Sequence, residues 1–148
     1  NVNFIKSCDN VQLSGLFGLH ASMTLSDKTL KKSVESVRGL DTGFHVHVSE
    51  DQSDVEDSMK KYKKRVVNRL ADMGILGKKS IAAHCIHIDK QEMEILAQSG
   101  TNAVHNASSN MNNAVGTADV LALIALAQRT IRAEFGIDLE LEVQVVGE

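Results

Sequence analysis

The 148-residue chain lacks several features, and each absence excludes a class of protein. Its two cysteines, Cys8 and Cys85, are too few for a disulfide framework or a cysteine-built structural zinc site. No apolar run reaches about 18 residues and no signal-peptide pattern is present, so we expect a soluble, cytoplasmic protein without a membrane partner. The net charge of -3 gives no overall basic signal for nucleic acid binding.

Proline is also missing, and the chain begins at Asn1 rather than at methionine. Both features favour an excised, recombined or designed segment over a complete natural enzyme. The hydrophobic content of 43% is nevertheless ordinary for a globular protein. A chain of this length can form one domain with its own core, and we expect a single α/β domain over residues 1–148.

Strand and helix patterns alternate along the chain. Short apolar runs predict four strands, which cover residues 15–20, 44–48, 80–84 and 102–105. Helical periodicity and capping residues predict four helices, which cover about residues 28–38, 54–73, 90–98 and 118–134. The polar segment 106–116 is predicted as a loop, and the alternating segment 138–146 as a half-exposed strand. This order is typical of an α/β fold with a parallel sheet.

Histidines end all four of the consecutive predicted strands: His20, His45 with His47, His84 and His105. In an α/β barrel the catalytic groups gather at the C-terminal ends of the strands. Neutral imidazole is a good ligand for Zn²⁺ or Fe²⁺. Glu50 follows His47 by three residues, so its carboxylate can reach the same C-terminal end of the strands and transfer a proton there. A single histidine of this kind is more often structural, but the clusters together favour an ancestral metal site.

Several of these side chains have more than one interpretation. His45 and His47 share one face of their strand, which is either a barrel lumen or the solvated face of an open sheet. His87 lies beyond its strand, where it either caps the next helix or binds substrate. The asparagines of segment 106–113 are either solvated or hydrogen-bonded to substrate. The basic run 60–65 lies within a helical pattern, and we interpret it as a solvated helix face.

The strand-end motifs resemble those of the amidohydrolase superfamily, in its aminohydrolase branch of deaminases and chlorohydrolases. They are Gly18–Ser22, His45–Glu50, Ala82–His87 and Val104–Asn113, in the family's order and spacing. The similarity is particularly clear to aminohydrolases associated with selenium metabolism, and it covers residues 16–116. It implies a metal-dependent (β/α)₈ barrel, of which residues 1–116 hold strands four to seven. The chain would form this half barrel, or an open α/β sandwich with an added C-terminal helix and strand.

The resemblance also implies a role for each motif. His47 and His84 would be metal ligands, with zinc or iron as the metal, and Glu50 the catalytic proton shuttle. Substrate contacts are predicted for His20, His87, His105 and Asn110. The implied reaction is attack of metal-bound hydroxide on a small heterocycle, which loses ammonia or halide in a hydrolytic deamination or dechlorination.

Two parts of the family's ligand set have no counterpart here. The family has a His-x-His pair after strand one and an aspartate after strand eight. Asp119 starts a predicted helix and Asp138 enters a predicted strand, so neither fits the second role. With two of about five ligands, we expect metal binding to be weak or absent. The chain would be a fragment or chimera, inactive alone; the alternatives are a recombined or designed domain without catalysis, and a weak metal-binding module.

Segment 117–148 has a second resemblance, to the C-terminus of the UDP-N-acetylenolpyruvoylglucosamine reductase family. It rests on Thr117–Ile124 and Phe135–Val143. It implies a separate origin for this segment, with Glu142 or Glu140 matching the acid of that family. An ordinary amphipathic helix and strand explain the pattern equally well. A half barrel joined to this segment exposes sheet edges, and a homo-oligomer could cover them.

Overall fold

Four parallel strands form one sheet in the computed structural model, which describes residues 1–8, 13–116 and 120–139. In spatial order the strands are β1 Phe17–Ala21, β2 Phe44–Val48, β3 Ile81–His84 and β4 Asn102–Val104. Each is hydrogen-bonded to the next strand along the chain. The predicted α/β fold with a parallel sheet is therefore confirmed.

Helices connect the strands in the alternating order that the sequence predicts. Within the described residues they are α1 Val2–Ser7, α2 Asp27–Ser36, α3 Gln52–Tyr62, α4 Val66–Asp72, α5 Lys90–Ser99, α6 Ala107–Asn112 and α7 Val120–Phe135. The predicted caps form: the Ser26 side chain accepts a hydrogen bond from the Thr29 N–H, and Asp89 accepts one from the Glu92 N–H. None of the described helices is long and apolar enough to cross a membrane.

The core lies on one face of the sheet. Phe44, Val46 and Val48 of β2 are buried, and they pack with apolar side chains of the helices in one cluster. Successive strand residues point to opposite faces, so His45 and His47 lie on the face away from this core. The core therefore fixes the direction in which the histidines point.

The register of the sheet brings the strand-end motifs together at the carboxyl ends of the strands, which we call the carboxyl edge of the sheet. His47 of β2 lies beside Ala21 of β1 and Ala83 of β3, and Val48 lies beside His84. Parallel strands share the direction of their carboxyl ends, so the residues that follow them meet at the same mouth. This edge carries the candidate site.

The prediction of one continuous helix over residues 54–73 is wrong. The segment forms two helices, α3 and α4, separated by Lys63 in a left-handed conformation with φ of 56°. The Ser58 hydroxyl donates to the Lys64 carbonyl at 2.8 Å and secures the turn. Apolar spacing continues across this break, so periodicity alone does not reveal it.

The basic run 60–65 is also more than a solvated helix face. The Arg65 guanidinium donates to the fully buried Glu92 carboxylate at 2.7 Å and to the His87 carbonyl at 2.8 Å. Glu92 also accepts from the Val67 N–H at 3.0 Å. Arg65 therefore joins the start of α4 to the start of α5, and the prediction of simple solvation fails at this residue.

The predicted loop 106–116 contains helix α6. The Asn110 N–H donates to the Asn106 carbonyl at 2.9 Å, which is a helical hydrogen bond. Asparagine and serine favour turns in sequence patterns because their side chains compete for backbone groups. Here the buried side chain of Asn110 bonds to histidine rings instead, which leaves the backbone free to form a helix.

The C-terminal predictions are described only in part. Helix α7 confirms the predicted helix 118–134 over its described residues and ends one residue later, at Phe135. Most of the predicted strand 138–146 lies outside the described residues, as do Asp119, Glu140 and Glu142. The division into segments 1–116 and 117–148, and the separate origin of the second, remain predictions.

Candidate metal centre

The backbone at the ends of β2 and β3 is held in unusual conformations. Ser49, His84 and Cys85 have φ values of 47°, 73° and 53°. Non-glycine residues avoid this region, and such strain concentrates at functional sites. The Cys85 N–H donates to the Val48 carbonyl at 2.9 Å, and the N–H groups of Ile86 and His87 donate to the Ser49 carbonyl. These bonds hold the two strand ends together.

A buried aspartate ties the loop after β1 to the loop after β2. Asp54 is only 3% exposed, and its carboxylate accepts from the Ser49 N–H at 3.0 Å and the Met23 N–H at 3.2 Å. Burial raises the pKa of Asp54 above its ordinary value, and the two backbone hydrogen bonds act against this rise. Asp54 therefore sets the spacing between the residues that follow the two strands.

A buried arginine supports the loop that follows His20. The Arg69 guanidinium donates to the Ser22 carbonyl and hydroxyl, to the Leu25 carbonyl and to the Asp27 carboxylate. It also lies 3.6 Å from the centre of the Tyr62 ring. Its charge is thus compensated on several sides, which a buried guanidinium requires.

His47, Glu50 and His84 converge at the sheet edge. One ligand atom from each lies within 4.8 Å of the others. The closest pair is His47 Nδ1 and His84 Nε2 at 3.0 Å, and Glu50 Oε2 lies 3.6 Å from His84 Nε2. His84 is only 2% exposed, whereas His47 and Glu50 are partly open to solvent. The two predicted metal ligands and the predicted proton shuttle are therefore brought together.

The electrostatics of this cluster suit a divalent cation. Burial lowers the pKa of His47, and the neighbouring His84 lowers it further, while Glu50 acts in the opposite direction. A lowered pKa keeps imidazole neutral, which is the form that coordinates a metal. Two imidazole nitrogens and one carboxylate are the donors found in zinc and non-haem iron sites. The residues present therefore fit the metal that the resemblance implies.

The four residues predicted to contact substrate occupy different positions around the cluster of His47, Glu50 and His84. His20 is exposed at the mouth, with Nδ1 2.9 Å from the Thr24 hydroxyl and its ring 5.7 Å from that of His47. His105 and Asn110 lie behind His84 and bond to each other at 3.1 Å. The described contacts of His87 are with Ser49, Arg65 and Asp51, outside the cluster. Substrate binding by these four residues remains a prediction.

Two asparagines contribute contacts that sequence reasoning did not assign individually. Asn113 Nδ2 donates to Glu50 Oε1 at 2.9 Å, and Asn106 Nδ2 lies 3.5 Å from His84 Nε2. Their position in the motif after β4 was the available signal, since a loop at this edge faces the same mouth. Their partners depend on the position of α6, which spacing does not reveal.

A parallel sheet with these residues at its carboxyl edge defines a partial α/β barrel with a candidate metal centre. The amidohydrolase family model matches residues 2–129, and the chain belongs to this family. The resemblance of the strand-end motifs is thereby confirmed. The matched region continues past residue 116, into α7.

Deaminases are among the curated relatives of the chain. The chain is 40% identical over 105 residues to a 5-methylthioadenosine/S-adenosylhomocysteine deaminase of Thermoanaerobacter pseudethanolicus, covering 71% of this chain and 24% of the relative. It is 34% identical over 127 residues to a 5'-deoxyadenosine deaminase of Methanosarcina mazei, covering 86% and 29%. The chain thus spans about a quarter of the length of the curated relatives it matches.

Solved structures support the same fold. A zinc-bound adenosine deaminase from Xanthomonas campestris superposes with a TM-score of 0.76 at 28% identity, over 82% of this chain and 28% of that one. A triazine hydrolase from Arthrobacter aurescens superposes with a TM-score of 0.75 at 15% identity, over 84% and 28%. The second likeness concerns the fold alone. The four-stranded sheet therefore has the fold of part of an amidohydrolase barrel.

Proposed function

We propose that this chain supplies part of the catalytic site of a metal-dependent aminohydrolase. The observation that carries the proposal is the convergence of His47, Glu50 and His84 within 4.8 Å at the sheet edge. His47 and His84 would hold the metal, and the zinc-bound adenosine deaminase favours zinc over iron. When bound, the metal supplies a water that is nucleophilic at neutral pH.

The proposed reaction is hydrolytic deamination of a small aminated heterocycle, with adenosine derivatives as the first candidates. The deaminases among the relatives support this substrate class. Glu50 would take a proton from the attacking water and give it to the departing amino group, which leaves as ammonia. Asn113 holds one oxygen of Glu50, and the other oxygen faces His84. His20, exposed beside His47, would contact the ring of the substrate.

His47 and His84 alone do not complete a catalytic zinc site. Catalytic zinc takes three protein ligands plus a water, whereas two imidazoles are offered here once Glu50 serves as the proton carrier. We propose that at least one further ligand comes from residues outside the described part of this chain, from another segment or a second copy. This proposal predicts weak zinc binding and low activity for the isolated chain.

Zinc binding by the purified chain tests the proposal directly. Competition with a chromophoric chelator should give one zinc per chain. His47→Ala or His84→Ala should weaken binding by more than the roughly 10–100-fold that is typical for losing a residue that only supports a ligand. His87→Ala is the matched control, because His87 contacts residues outside the cluster, and it should leave the affinity unchanged. Failure of the wild type to bind zinc, or equal losses in all three variants, would contradict the proposal.

Ammonia release from 5-methylthioadenosine completes the same test. Glu50→Gln keeps the size of the side chain but removes the proton carrier, so it should retain zinc and lose any ammonia release. Ammonia release that survives Glu50→Gln would contradict the role of Glu50. Zinc binding without any release from the wild type would favour a metal-binding module instead.

A further inference from the structure

Asn110, in helix α6, and Asn113, the residue that follows this helix, both contact the candidate metal centre. Asn110 Oδ1 lies 2.7 Å from His84 Nδ1, and Asn113 Nδ2 donates to Glu50 Oε1 at 2.9 Å. Asn113 keeps a helical backbone conformation, so it lies on the same face as Asn110 three residues earlier, and both partners can be held at once. The side chain of Asn110 is the more firmly held of the two, because it is fully buried.

The amide of Asn110 distinguishes between the two ring nitrogens of His84. A carbonyl oxygen can only accept, so His84 Nδ1 must carry the proton of the bond to Asn110 Oδ1. The amide nitrogen can only donate, so His105 Nδ1 must be the acceptor of the bond from Asn110 Nδ2. In their neutral forms, the two histidines on either side of Asn110 are therefore held in opposite tautomers.

The mouth of the site agrees with this assignment. If Nδ1 of neutral His84 carries the proton, Nε2 has its lone pair free on the side of His47 and Glu50. Asn106 Nδ2, another group that can only donate, lies 3.5 Å from that Nε2 atom. A proton on Nε2 would also find acceptors, at His47 Nδ1 or Glu50 Oε2, so the mouth alone does not decide the tautomer.

We propose that Asn110 is a positioning residue, which holds His84 in the Nδ1–H tautomer and leaves Nε2 as the atom available to a metal. This inference deepens the proposed function, and its metal-binding consequence rests on that function. The histidine ligands of metal sites usually donate their second N–H to a fixed acceptor, and losing that acceptor typically weakens metal binding by about 10–100-fold. Asn110 is the candidate for this acceptor.

The tautomers can be read directly from ¹⁵N chemical shifts of the histidine rings. The ring shifts of the metal-free, ¹⁵N-labelled chain are followed as the pH is raised and are read where they no longer change, so that the neutral rings are compared. His84→Gln and His105→Gln assign the two rings. In the wild type we expect Nδ1–H for His84 and Nε2–H for His105. The Nε2–H tautomer of His84 in the wild type overturns the inference without any variant.

Two substitutions at Asn110 then separate hydrogen bonding from packing. Asn110→Asp keeps an acceptor for His84 and also presents an acceptor to His105. His84 should therefore keep Nδ1–H, while His105 changes to Nδ1–H. Asn110→Leu removes the acceptor, and the Nε2–H tautomer of His84 should appear. Asn112→Leu, on the exposed side of α6, is the control and should leave both rings unchanged.

Zinc affinity of the same variants tests the consequence. Asn110→Leu should bind zinc about 10–100-fold more weakly than the wild type, and Asn110→Asp should restore the affinity. If the tautomers behave as expected but the wild type binds no zinc, the proposed function fails and the role of Asn110 stands. If Asn110→Leu or Asn110→Asp leaves both tautomers unchanged in a folded chain, the role of Asn110 is refuted.

Discussion

Cys85 lies next to the candidate metal centre, but its environment prevents its thiol from acting as a nucleophile or a metal ligand. It follows the candidate ligand His84 directly, yet it is buried, and its thiol points to the Ala82 carbonyl at 3.5 Å. Burial raises the pKa of Cys85 from 9.0 to about 12, with a further contribution from Glu92. A thiol that stays protonated is a poor nucleophile and a poor metal ligand.

Thiol labelling checks this environment. At about pH 8 a thiol reagent should modify the half-buried Cys8 in the native chain and leave Cys85 unmodified, because the thiolate is the reactive form. Cys8→Ser should abolish native labelling, and denaturant should restore one site. Rapid labelling of Cys85 in native Cys8→Ser would contradict the prediction.

The raised pKa of Cys85 also determines how the free energy of unfolding changes at alkaline pH. The unfolded chain releases this proton near pH 9, and the folded chain only near 12. The contribution of Cys85 to the free energy of unfolding is therefore fully present below pH 9 and is lost as the pH rises towards 12. Cys85→Ala should reduce this alkaline loss of stability, which denaturant titrations at several pH values measure.

At the scale of elements, the break between α3 and α4 concentrates strain in one residue. Lys63 ends α3 in the left-handed conformation, with its N–H bonded to the Met59 carbonyl at 3.1 Å. That conformation costs an L-residue roughly 1–2 kcal/mol, whereas glycine adopts it freely. The tertiary bonds of Arg65 and Ser58 keep the chain in this turn.

Replacing Lys63 by glycine should therefore stabilise the protein. We expect Lys63→Gly to raise the free energy of unfolding by about 1 kcal/mol, since relief of strain outweighs the added freedom of the unfolded chain. Lys60→Gly, within α3, is the matched control and should lower it by about 1 kcal/mol. Chemical denaturation measures both. Destabilisation by Lys63→Gly to the same extent as by Lys60→Gly would show that the turn carries no strain.

At the scale of the whole molecule, the two outer strands of the sheet differ. The side chain of Asn1 bonds to both backbone groups of Gly18 and so covers part of the β1 edge. Strand β4 is exposed along its length, including Val104 at 40%. Beside it lies an apolar cavity of about 570 Å³ between β4, α5 and α7. Exposed strand edges of this kind favour pairing with other chains.

Self-association through β4 should be measurable in solution. We expect concentration-dependent oligomers in sedimentation velocity, and Val104→Lys should weaken them because an edge lysine opposes strand pairing. Met59→Lys adds the same charge at an exposed apolar position on α3 and should leave association unchanged. A wild-type chain that stays monomeric at all concentrations would refute the prediction.

Much of the fold and of the site could be predicted from local signals. Apolar runs identify the strands, and Ser26 and Asp89 identify helix starts. The family resemblance of the strand-end motifs indicates His47, Glu50 and His84 as one site, and these residues do converge. The continuous helix over 54–73 was predicted wrongly, because the break lies within an unbroken periodic pattern. The helical state of α6 was missed because its residues favour turns when considered alone.

The sequence by itself therefore determined the alternation of strands and helices and the histidines at the strand ends, since both follow from neighbouring residues and their spacing. Only the tertiary structure decided the turn at Lys63, the side of α6 that meets the site and the tautomer expected at His84. Those outcomes depend on contacts between distant parts of the chain, such as Asn113 with Glu50, which are 63 residues apart. Such contacts contribute free energy only after the strands and α6 have assembled, so a local sequence pattern does not reveal them.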